Sequence, residues 1–215
     1  MEWNYEYDVV VVGSGNGALT AALCSHDGGA KTLVIEKSSQ FGGTSATSGG
    51  GVWIPNNRYA KAENVDDSDQ DARDYINSVS PEGMIKDELI ETYISEGPRM
   101  VDYLHENSQV KYRNLAHYPD YFPDNTGGKE GNRSMEPEPI FGTELGDDLG
   151  NLREQHPQTA FTMGPINMNF TQVEGQLLLG ALPGWKTQFA KLFTKYILDF
   201  TCLLYTSDAA DELRS

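Results

Sequence analysis

Cysteine is scarce in the sequence, with two residues, Cys24 and Cys202, among 215. Two cysteines so far apart indicate neither a disulfide framework nor a cysteine-ligated metal cluster. The histidines are scattered as well and lack the spacing of metal ligands, so we interpret them as surface or packing residues. They are His26, His105, His117 and His156. The sequence therefore predicts no metal site.

Long apolar runs are also missing. No stretch is long enough to cross a bilayer, and the acidic first residues, MEWNYEYD, lack the basic and then apolar layout of a signal peptide. We therefore expect a soluble, cytoplasmic protein. The hydrophobic content of 38% is sufficient for a packed core, which disfavours general disorder.

Basic residues are few, 16 against 32 acidic ones, so the formal net charge is −16. Such a surface repels nucleic acid and anionic membranes, which makes both poor candidates for partners. A ligand that carries phosphate is compatible with this charge only where local donors, such as a helix N-terminus, override the global field.

The last residues do not resemble natural protein sequence. Residues 202–212, CLLYTSDAADE, resemble the translated mosaic-end adapter of transposase-based sequencing libraries along the whole stretch. We therefore expect the natural sequence to stop near Thr201 and residues 202–215 to be adapter read-through. On this interpretation residues 1–201 are the N-terminal part of a longer protein.

The N-terminal region predicts a βαβ unit. Residues 8–12, DVVVV, and 32–36, TLVIE, are continuous apolar runs, as expected for strands buried on both faces. Between them, apolar residues recur at helical spacing over residues 19–23, and Gly28 and Gly29 provide a helix C-cap signal. This order indicates parallel strands joined by a right-handed crossover, which is typical of an α/β fold.

The remaining chain is predicted to be mainly helical and irregular over residues 60–201. Residues 41–57 are rich in glycine and serine, and prolines, glycines and charges over 118–165 indicate a long irregular excursion. Pro98 is expected to interrupt a helix before a further helical segment. The apolar pattern predicts helices over 66–80, 81–96, 177–182 and 189–197.

Residues 13–18, GSGNGA, fit the G-x-G-x-x-[GA] pattern of dinucleotide-binding turns. Gly13 permits the tight turn, Gly15 lets a pyrophosphate approach the backbone, and Ala18 lets the helix pack close to the strand. The helix N-terminus offers N–H donors and partial positive charge. Glu36, after the second strand, is expected to bind the adenosine ribose and to repel a 2′-phosphate, which disfavours NADP. A tight turn without a ligand is the alternative.

A second glycine-rich stretch favours FAD over NAD. Five of the ten residues from Gly42 to Gly51 are glycine, and serine and threonine lie between them. This composition suits an extended diphosphate and a flavin, whereas a nicotinamide domain needs no second loop of this kind. FAD is therefore the predicted cofactor, and a mobile glycine loop without a ligand is the alternative.

These stretches together resemble the FAD-binding flavoproteins related to fumarate reductase, and most closely the 3-ketosteroid Δ1-dehydrogenases. The block FGGTSATSGGGVWIP, residues 41–55, is the specific part. YPDYF at 118–122 is similar to an aromatic-Pro-Asp-Tyr-aromatic segment of the ketosteroid enzymes, and GNRSMEPEPI at 131–140 to a Gly-Arg-Ser-x-x-Pro stretch. The resemblance extends to about Thr201.

The resemblance implies a Rossmann-like α/β FAD-binding domain and a set of site residues. Tyr121 matches a tyrosine beside the catalytic base; the base itself, and the tyrosine and glycine that hold the 3-keto oxygen, lie farther along in the family. The residues expected to line the FAD site are Gly13, Ser14, Gly15, Ala18, Glu36, Lys37, Gly42, Gly43, Thr44, Ser45 and Gly50.

The chemistry of the family explains why tyrosines are needed. Desaturation beside a ketone gives a hydride to the flavin and a proton to a base, and an external acceptor then takes the electrons. A free phenol has a pKa near 10, and a second phenol that donates a hydrogen bond lowers the pKa of the first. Tyr121 is expected to be that donor. Tyr118 and Phe122 are expected to anchor the loop or contact a steroid, and Trp53 to pack in the core, although simple packing of all three loop rings is an alternative.

Two other functions remain open at this point. An FAD enzyme of the fumarate reductase type reduces an activated alkene, with an arginine as proton donor. A truncated chain that binds nothing is the non-enzymatic alternative, because two parallel strands leave apolar faces uncovered.

Overall fold

The computed structural model describes most of the chain up to residue 154 and shorter stretches beyond it. The described residues are 5–140, 142–154, 162–163, 166–167, 171–194 and 197. The chain divides into two compact units, Met1–Gln155 and His156–Ser215. Residues 202–215, the predicted adapter read-through, lie outside the described residues.

The first unit begins with the predicted βαβ unit, which is confirmed. Strand β1 (Val9–Val12) pairs in parallel with strand β2 (Thr32–Ile35) along its full length. Helix α1 (Asn16–Asp27) connects the two strands, with Gly28 as its C-cap residue. The helix is therefore bounded by glycine on both sides, as the sequence pattern indicates.

The expectation that both strands are buried on both faces is wrong. Val10 and Val12 are 52% and 78% exposed, and Ile35 is 44% exposed. Helix α1 packs against β1 and β2 and covers one side of the pair. These apolar side chains belong to a sheet face that the described part of the chain leaves in solvent.

A three-stranded antiparallel sheet with the order β3-β5-β4 forms a separate layer. Its strands are β3 (Val52–Trp53), β4 (Tyr112–Asn114) and β5 (Ser134–Pro137). The prediction of an irregular excursion over 118–165 is therefore wrong for β5. Apart from its proline, this central strand has one apolar residue, Met135, which is fully buried. The sequence therefore shows no alternation of apolar and polar residues that would predict a strand there.

Helix α2 (Gly43–Thr47) precedes β3 along the chain, and three helices lie between β3 and β4: α3 (Arg58–Ala62), α4 (Asp69–Val79) and α5 (Asp87–Asn107). The predicted interruption at Pro98 is wrong, because α5 continues through it. The helix is held on both sides of the proline by burial. Before it, two isoleucines pack with α4, and after it Val101 and Leu104 pack in the main core. Tertiary packing therefore offsets the hydrogen bond that proline cannot make.

The main core lies between α5 and the antiparallel sheet. Its buried members are Ile54, Val101, Leu104, Tyr112 and Met135. A smaller cluster between α4 and α5 consists of Ala72, Ile90 and Ile94. The first unit ends with 3-10 helical turns over Gly142–Asn151.

The second unit contains a short antiparallel pair, β6 (Thr162–Met163) with β7 (Ile166–Asn167), and helix α6 (Gln172–Leu179). Thr171 and Glu174 form a reciprocal capping box at the start of α6. Residues 185–194 are also helical. Both predicted helices are therefore present with shifted bounds. The described residues contain no helix with the length and apolar character that crossing a bilayer requires.

Candidate functional site

The first glycine loop (residues 13–17) connects β1 to α1. The Gly13 N–H donates a 2.7 Å hydrogen bond to the Ile35 carbonyl, and φ of Gly13 is +99°, a value that favours glycine. Helix α1 begins at Asn16, with Gly15 as its N-cap residue. The loop therefore leads directly from the end of a strand into a helix whose first N–H groups have no intrahelical acceptor.

Ser14 links the first loop to the residues that follow β2. Its hydroxyl donates to Glu36 Oε2 at 2.5 Å and accepts from the N–H of Gly42 at 2.9 Å. Glu36 Oε1 accepts the N–H of Ser38 at 3.0 Å. The hydrogen bond from the Ser14 hydroxyl has the largest effect and lowers the pKa of Glu36. The bond from the Ser38 N–H lowers the pKa further. Glu36 is thus held as a fixed carboxylate beside the loop.

The second glycine loop (residues 42–51) lies against the first. It includes the short helix α2 (Gly43–Thr47), and Ser45 Oγ accepts the N–H of Asn16 at 3.0 Å. A Cβ placed on Gly43, where φ is +55°, would lie 3.5 Å from the Gly15 Cα. The two loops are therefore joined by a hydrogen bond, and a side chain on Gly43 would occupy the space beside Gly15.

The two glycine loops and Glu36 line a cavity of about 540 Å³, which we call the loop cavity. The structure brings most of the predicted site residues together there. Those that line it are Gly13, Ser14, Gly15, Ala18, Glu36, Lys37, Gly43, Thr44 and Ser45. Gly42 adjoins the cavity through its hydrogen bond to Ser14. Gly50 does not: it lines a different cavity, beside Pro137.

Sequence reasoning missed several residues of the loop cavity. Asn16 and Gly17 lie inside the glycine pattern, and Ser38 and Gln40 lie within four positions after Glu36. Their proximity to the site is therefore recoverable from the pattern. Arg153 also lines the cavity but lies more than a hundred positions away. No local signal points to it, because its place depends on a tertiary backbone pairing with Phe41.

The loop cavity fits a dinucleotide. The glycines leave the space that a Cβ would fill, and the N–H groups of Gly17 and Ala18 lie in the first turn of α1, where diphosphates bind. At the other end, the Glu36 carboxylate has acceptor capacity beyond Ser14 and Ser38, which suits ribose hydroxyls.

A second cavity of about 320 Å³ contains Tyr121, and we call it the aromatic cavity. Its lining is mostly apolar: Trp53, Tyr75, Ile76, Val79, Tyr118, Pro119, Asp120, Tyr121, Phe122 and Ser134. Tyr121 is 83% exposed and Phe122 is 58% exposed. The three rings of the YPDYF segment therefore do not pack together as buried core.

Tyr118 is the more enclosed of the two phenols. Burial raises the pKa of Tyr118, and the neighbouring phenol of Tyr121 raises it further. Tyr121 is the more exposed phenol and therefore the one that solvent or a ligand reaches.

The aromatic loop (residues 118–131) is fixed by a buried ion cluster. Arg133 is 1% exposed and donates to Asp120 Oδ2 at 2.8 Å and to Asp67 Oδ1 at 2.7 Å. The second oxygen of Asp120 accepts the indole N–H of Trp53 at 2.7 Å. The residue next to Tyr121 is therefore held by two strong contacts.

Trp53 was expected to pack in the core, and the structure gives a mixed result. The indole is half-buried, and it stacks on the Tyr93 ring with centroids 6.2 Å apart and an interplanar angle of 19°. The guanidinium of Arg133 lies 5.5 Å from its centroid. The same side chain also lines the aromatic cavity.

Comparison with known proteins identifies the family of this chain. The model of the family described as FAD binding domain matches residues 8–189. The 3-oxosteroid 1-dehydrogenase of Mycolicibacterium smegmatis is 38% identical over 168 residues, which are 78% of this chain and 29% of that protein. The 4-oxocyclohexanecarboxylate 2-dehydrogenase of Sinomonas cyclohexanicum is 38% identical over 157 residues, 73% of this chain and 27% of that protein.

Among solved structures, the chain is similar to 3-ketosteroid delta1-dehydrogenase from Sterolibacterium denitrificans, determined in complex with 1,4-androstadiene-3,17-dione. The TM-score is 0.81 at 40% identity, and the match covers 92% of this chain and 34% of that one. The chain thus spans about a third or less of these relatives. It belongs to the FAD binding domain family, and its cofactor is FAD.

Proposed function

We propose that this chain forms the FAD-binding and phenol-bearing part of an enzyme that desaturates a 3-ketosteroid. The observation that carries the proposal is the pair of glycine loops that face each other beside Glu36. The similarity to 3-oxosteroid 1-dehydrogenases supports the substrate class. In this proposal β1 and β2 begin a Rossmann-like sheet. Residues 60–201 are a mostly helical and irregular insertion that supplies β4 and β5 of the antiparallel sheet, whereas β3 precedes it.

The loop cavity is proposed to hold the adenosine diphosphate half of FAD. Glycines of both loops allow close backbone approach to the diphosphate, and the first turn of α1 supplies N–H donors. Glu36, fixed by Ser14 and Ser38, accepts the ribose hydroxyls. FAD, when bound, supplies a hydride acceptor for the carbon that is oxidised.

The aromatic cavity is proposed to contact the substrate. Its rings offer an apolar surface that suits a flat, polycyclic ketone, and Tyr121 presents a hydroxyl at its exposed side. We propose that this hydroxyl donates a hydrogen bond to the base tyrosine, which favours the phenolate and lowers the pKa of that base. The cofactor is reoxidised by an external electron acceptor, and the expected location is the cytoplasm.

A second candidate substrate is a monocyclic ketone. It is favoured by the 38% identity to 4-oxocyclohexanecarboxylate 2-dehydrogenase, whose named substrate is also a cyclic ketone. The dehydrogenation is chemically the same, so the two candidates differ in the size and charge of the ligand. The apolar lining of the aromatic cavity favours the steroid, because a carboxylate ligand needs a cationic partner.

A chimeric enzyme tests the proposed activity. Residues 5–154 of this chain replace the aligned segment of the M. smegmatis enzyme, and desaturation of 4-androstene-3,17-dione is followed with an artificial electron acceptor. We expect steroid turnover that exceeds turnover of 4-oxocyclohexanecarboxylate. A chimera that binds FAD but turns over only the monocyclic ketone would reject the steroid proposal. Turnover of neither ketone by that FAD-loaded chimera would reject the dehydrogenase proposal as a whole.

A further inference from the structure

Arg153 reaches the loop cavity because the backbone around it pairs with Phe41, the residue before the second glycine loop. The Phe41 N–H donates to the Asn151 carbonyl at 2.8 Å, and the Arg153 N–H donates to the Phe41 carbonyl at 2.9 Å. These bonds form a parallel bridge between Phe41 and Leu152. Arg153 therefore has a position that the backbone fixes, directly beside the start of the second loop.

Side-chain packing reinforces the same pairing. A Cβ built on Gly42 would lie 3.1 Å from Cδ1 of Leu152, so the two segments are in close contact. The Gln40 side chain also donates to the Leu152 carbonyl at 3.5 Å. Residues 151–153 are thus attached to the rim of the cavity by backbone bonds, by a side-chain hydrogen bond and by apolar contact.

The charges around the loop cavity make Arg153 distinctive. Among the described residues, three charged side chains line the cavity: Glu36, Lys37 and Arg153. Arg153 is exposed, and within the described part of the chain its guanidinium forms no ion pair with a carboxylate. In a chain with 32 acidic residues, an accessible cation without such a partner is available for an anionic ligand.

We propose that Arg153 binds the diphosphate of FAD and provides the local positive charge that this acidic chain needs there. The inference rests on the proposed FAD site and adds a residue to it. A guanidinium binds phosphate oxygens through two parallel N–H donors, which a lysine ammonium cannot match in geometry. The α1 N-terminus and Arg153 then act on the same anion from two separate segments of the chain.

The test measures binding of FAD, ADP and adenosine to the 215-residue chain by titration calorimetry. We expect Arg153→Ala to weaken FAD and ADP binding about 10- to 100-fold, the usual effect of losing a charged hydrogen bond. Adenosine binding is expected to stay the same, because adenosine has no diphosphate. Arg153→Lys is expected to restore part of the loss. The salt dependence of ADP binding is also expected to be weaker in Arg153→Ala.

Arg99→Ala is the matched control, because Arg99 is exposed on α5 and pairs with Glu96 away from the cavity. It is expected to bind all three ligands as the unaltered chain does. If Arg153→Ala binds ADP and FAD normally, the inference is wrong while the FAD site stands. If it loses adenosine binding equally, Arg153 acts on structure and not on the diphosphate. If the unaltered chain binds neither FAD nor ADP, both the inference and the proposed FAD site are wrong.

Discussion

Ser14 is a small residue with two roles at the loop cavity. Its hydroxyl holds the Glu36 carboxylate and at the same time accepts the N–H of Gly42, so it connects the strand ends to the second glycine loop. The side chain is almost completely buried. Removing the hydroxyl would leave the Glu36 carboxylate with the Ser38 N–H but without the Ser14 bond, and the Gly42 N–H without its acceptor.

We therefore expect Ser14→Ala to weaken FAD binding about 10-fold, as the loss of ordinary hydrogen bonds does. Fluorescence titration of FAD with the chain measures this change. Ser25→Ala is the control, because the Ser25 hydroxyl bonds only to the Ala21 carbonyl within α1 among the bonds described. Equal affinity of Ser14→Ala and the unaltered chain would show that Glu36 does not need Ser14 for its orientation.

Tyr121 is exposed, so its hydroxyl contributes little to the fold. We expect Tyr121→Phe in the chimeric enzyme to lower kcat about 10- to 100-fold, because the base loses a hydrogen bond to its charged form. The urea midpoint is expected to change little, since exposed substitutions usually alter stability by less than about 0.5 kcal/mol. An unchanged kcat would remove Tyr121 from the catalytic site, and a large loss of stability would assign it a structural role.

Single residues of the candidate site were predictable where they form a local pattern. Gly13, Gly15 and Glu36 belong to one βαβ unit, so spacing along the chain was sufficient to bring them together. The contact between Ser14 and Gly42 was not predictable in that way, because it joins segments whose relative placement follows from folding. Composition alone did not indicate which glycines line the loop cavity. Gly50 lies in the same glycine-rich stretch as Gly43 but lines another cavity.

At the scale of elements, the aromatic loop is positioned by the ion cluster of Arg133, Asp67 and Asp120. All three side chains are almost completely buried. Removing one partner of a buried ion pair leaves the other charge buried without compensation. The resulting loss of stability is larger than the net stabilisation that the intact pair provides.

We expect Arg133→Ala to lower the free energy of unfolding by about 3–5 kcal/mol, since two buried carboxylates lose their cation. Urea denaturation followed by tryptophan fluorescence measures this value, and Trp53 also reports on the Asp120 contact. Arg99→Ala is the control, with an expected change below about 0.5 kcal/mol for an exposed pair. A similar small change for Arg133→Ala would mean that the cluster does not hold the loop.

Asp71 connects the aromatic loop to the start of α4. Lys129 lies 3.0 Å from Asp71 Oδ2, and the Ser68 hydroxyl donates to the same oxygen at 2.9 Å. The contact with Lys129 has the largest effect and lowers the pKa of Asp71 below its ordinary value. The hydrogen bond from Ser68 lowers the pKa further. The carboxylate is therefore favoured more in the folded chain than in the unfolded one.

This shift has a defined consequence for stability. The contribution of Asp71 is complete above about pH 4, the ordinary pKa of the unfolded carboxyl, and it is lost as the pH falls through the lower folded pKa. We expect Asp71→Asn to lose stability at neutral pH and to show a smaller further loss on acidification. Urea midpoints of both chains, measured from neutral to acidic pH, test this. If the urea midpoints of the two chains fall in parallel as the pH decreases, Asp71 does not contribute to the pH dependence of stability.

Elements were predictable from the sequence where local pattern and tertiary structure agree. The strands β1 and β2 and helix α1 were found because their apolar runs and glycine boundaries are contiguous. Strand β5 was missed because its place depends on pairing with β3 and β4, not on an alternating pattern. The continuity of α5 through Pro98 was missed for a related reason, since buried side chains on both sides hold the helix together.

At the scale of the whole molecule, the exposed face of β1 and β2 and the position of Arg153 share one property. Each depends on contacts between segments that are far apart along the chain: the segments that cover the strand face, and the segment that brings Arg153 to the loop cavity. Local sequence patterns do not specify such contacts. The chain matches about a third or less of the length of its relatives. The apolar residues Val10, Val12 and Ile35 are exposed in the described part of the chain, and their burial was the wrong part of an otherwise correct βαβ prediction.

The net charge of −16 raises the question of how this chain binds an anionic cofactor. In the proposed site, local donors override the overall field: the N-terminus of α1, the backbone of two glycine loops and Arg153. These donors are all in the first compact unit. The described residues that line the loop cavity thus all belong to the first unit.

Retention of FAD by the purified 215-residue chain is the decisive measurement for the loop cavity as a cofactor site. The chain is saturated with FAD, separated from free cofactor by gel filtration, and analysed for flavin absorbance and protein concentration. We expect about one FAD retained for each folded chain, and competition by ADP but not by riboflavin, because the loop cavity holds the adenosine diphosphate half. A folded chain, verified by circular dichroism, that retains no flavin and does not bind ADP would contradict the proposed site.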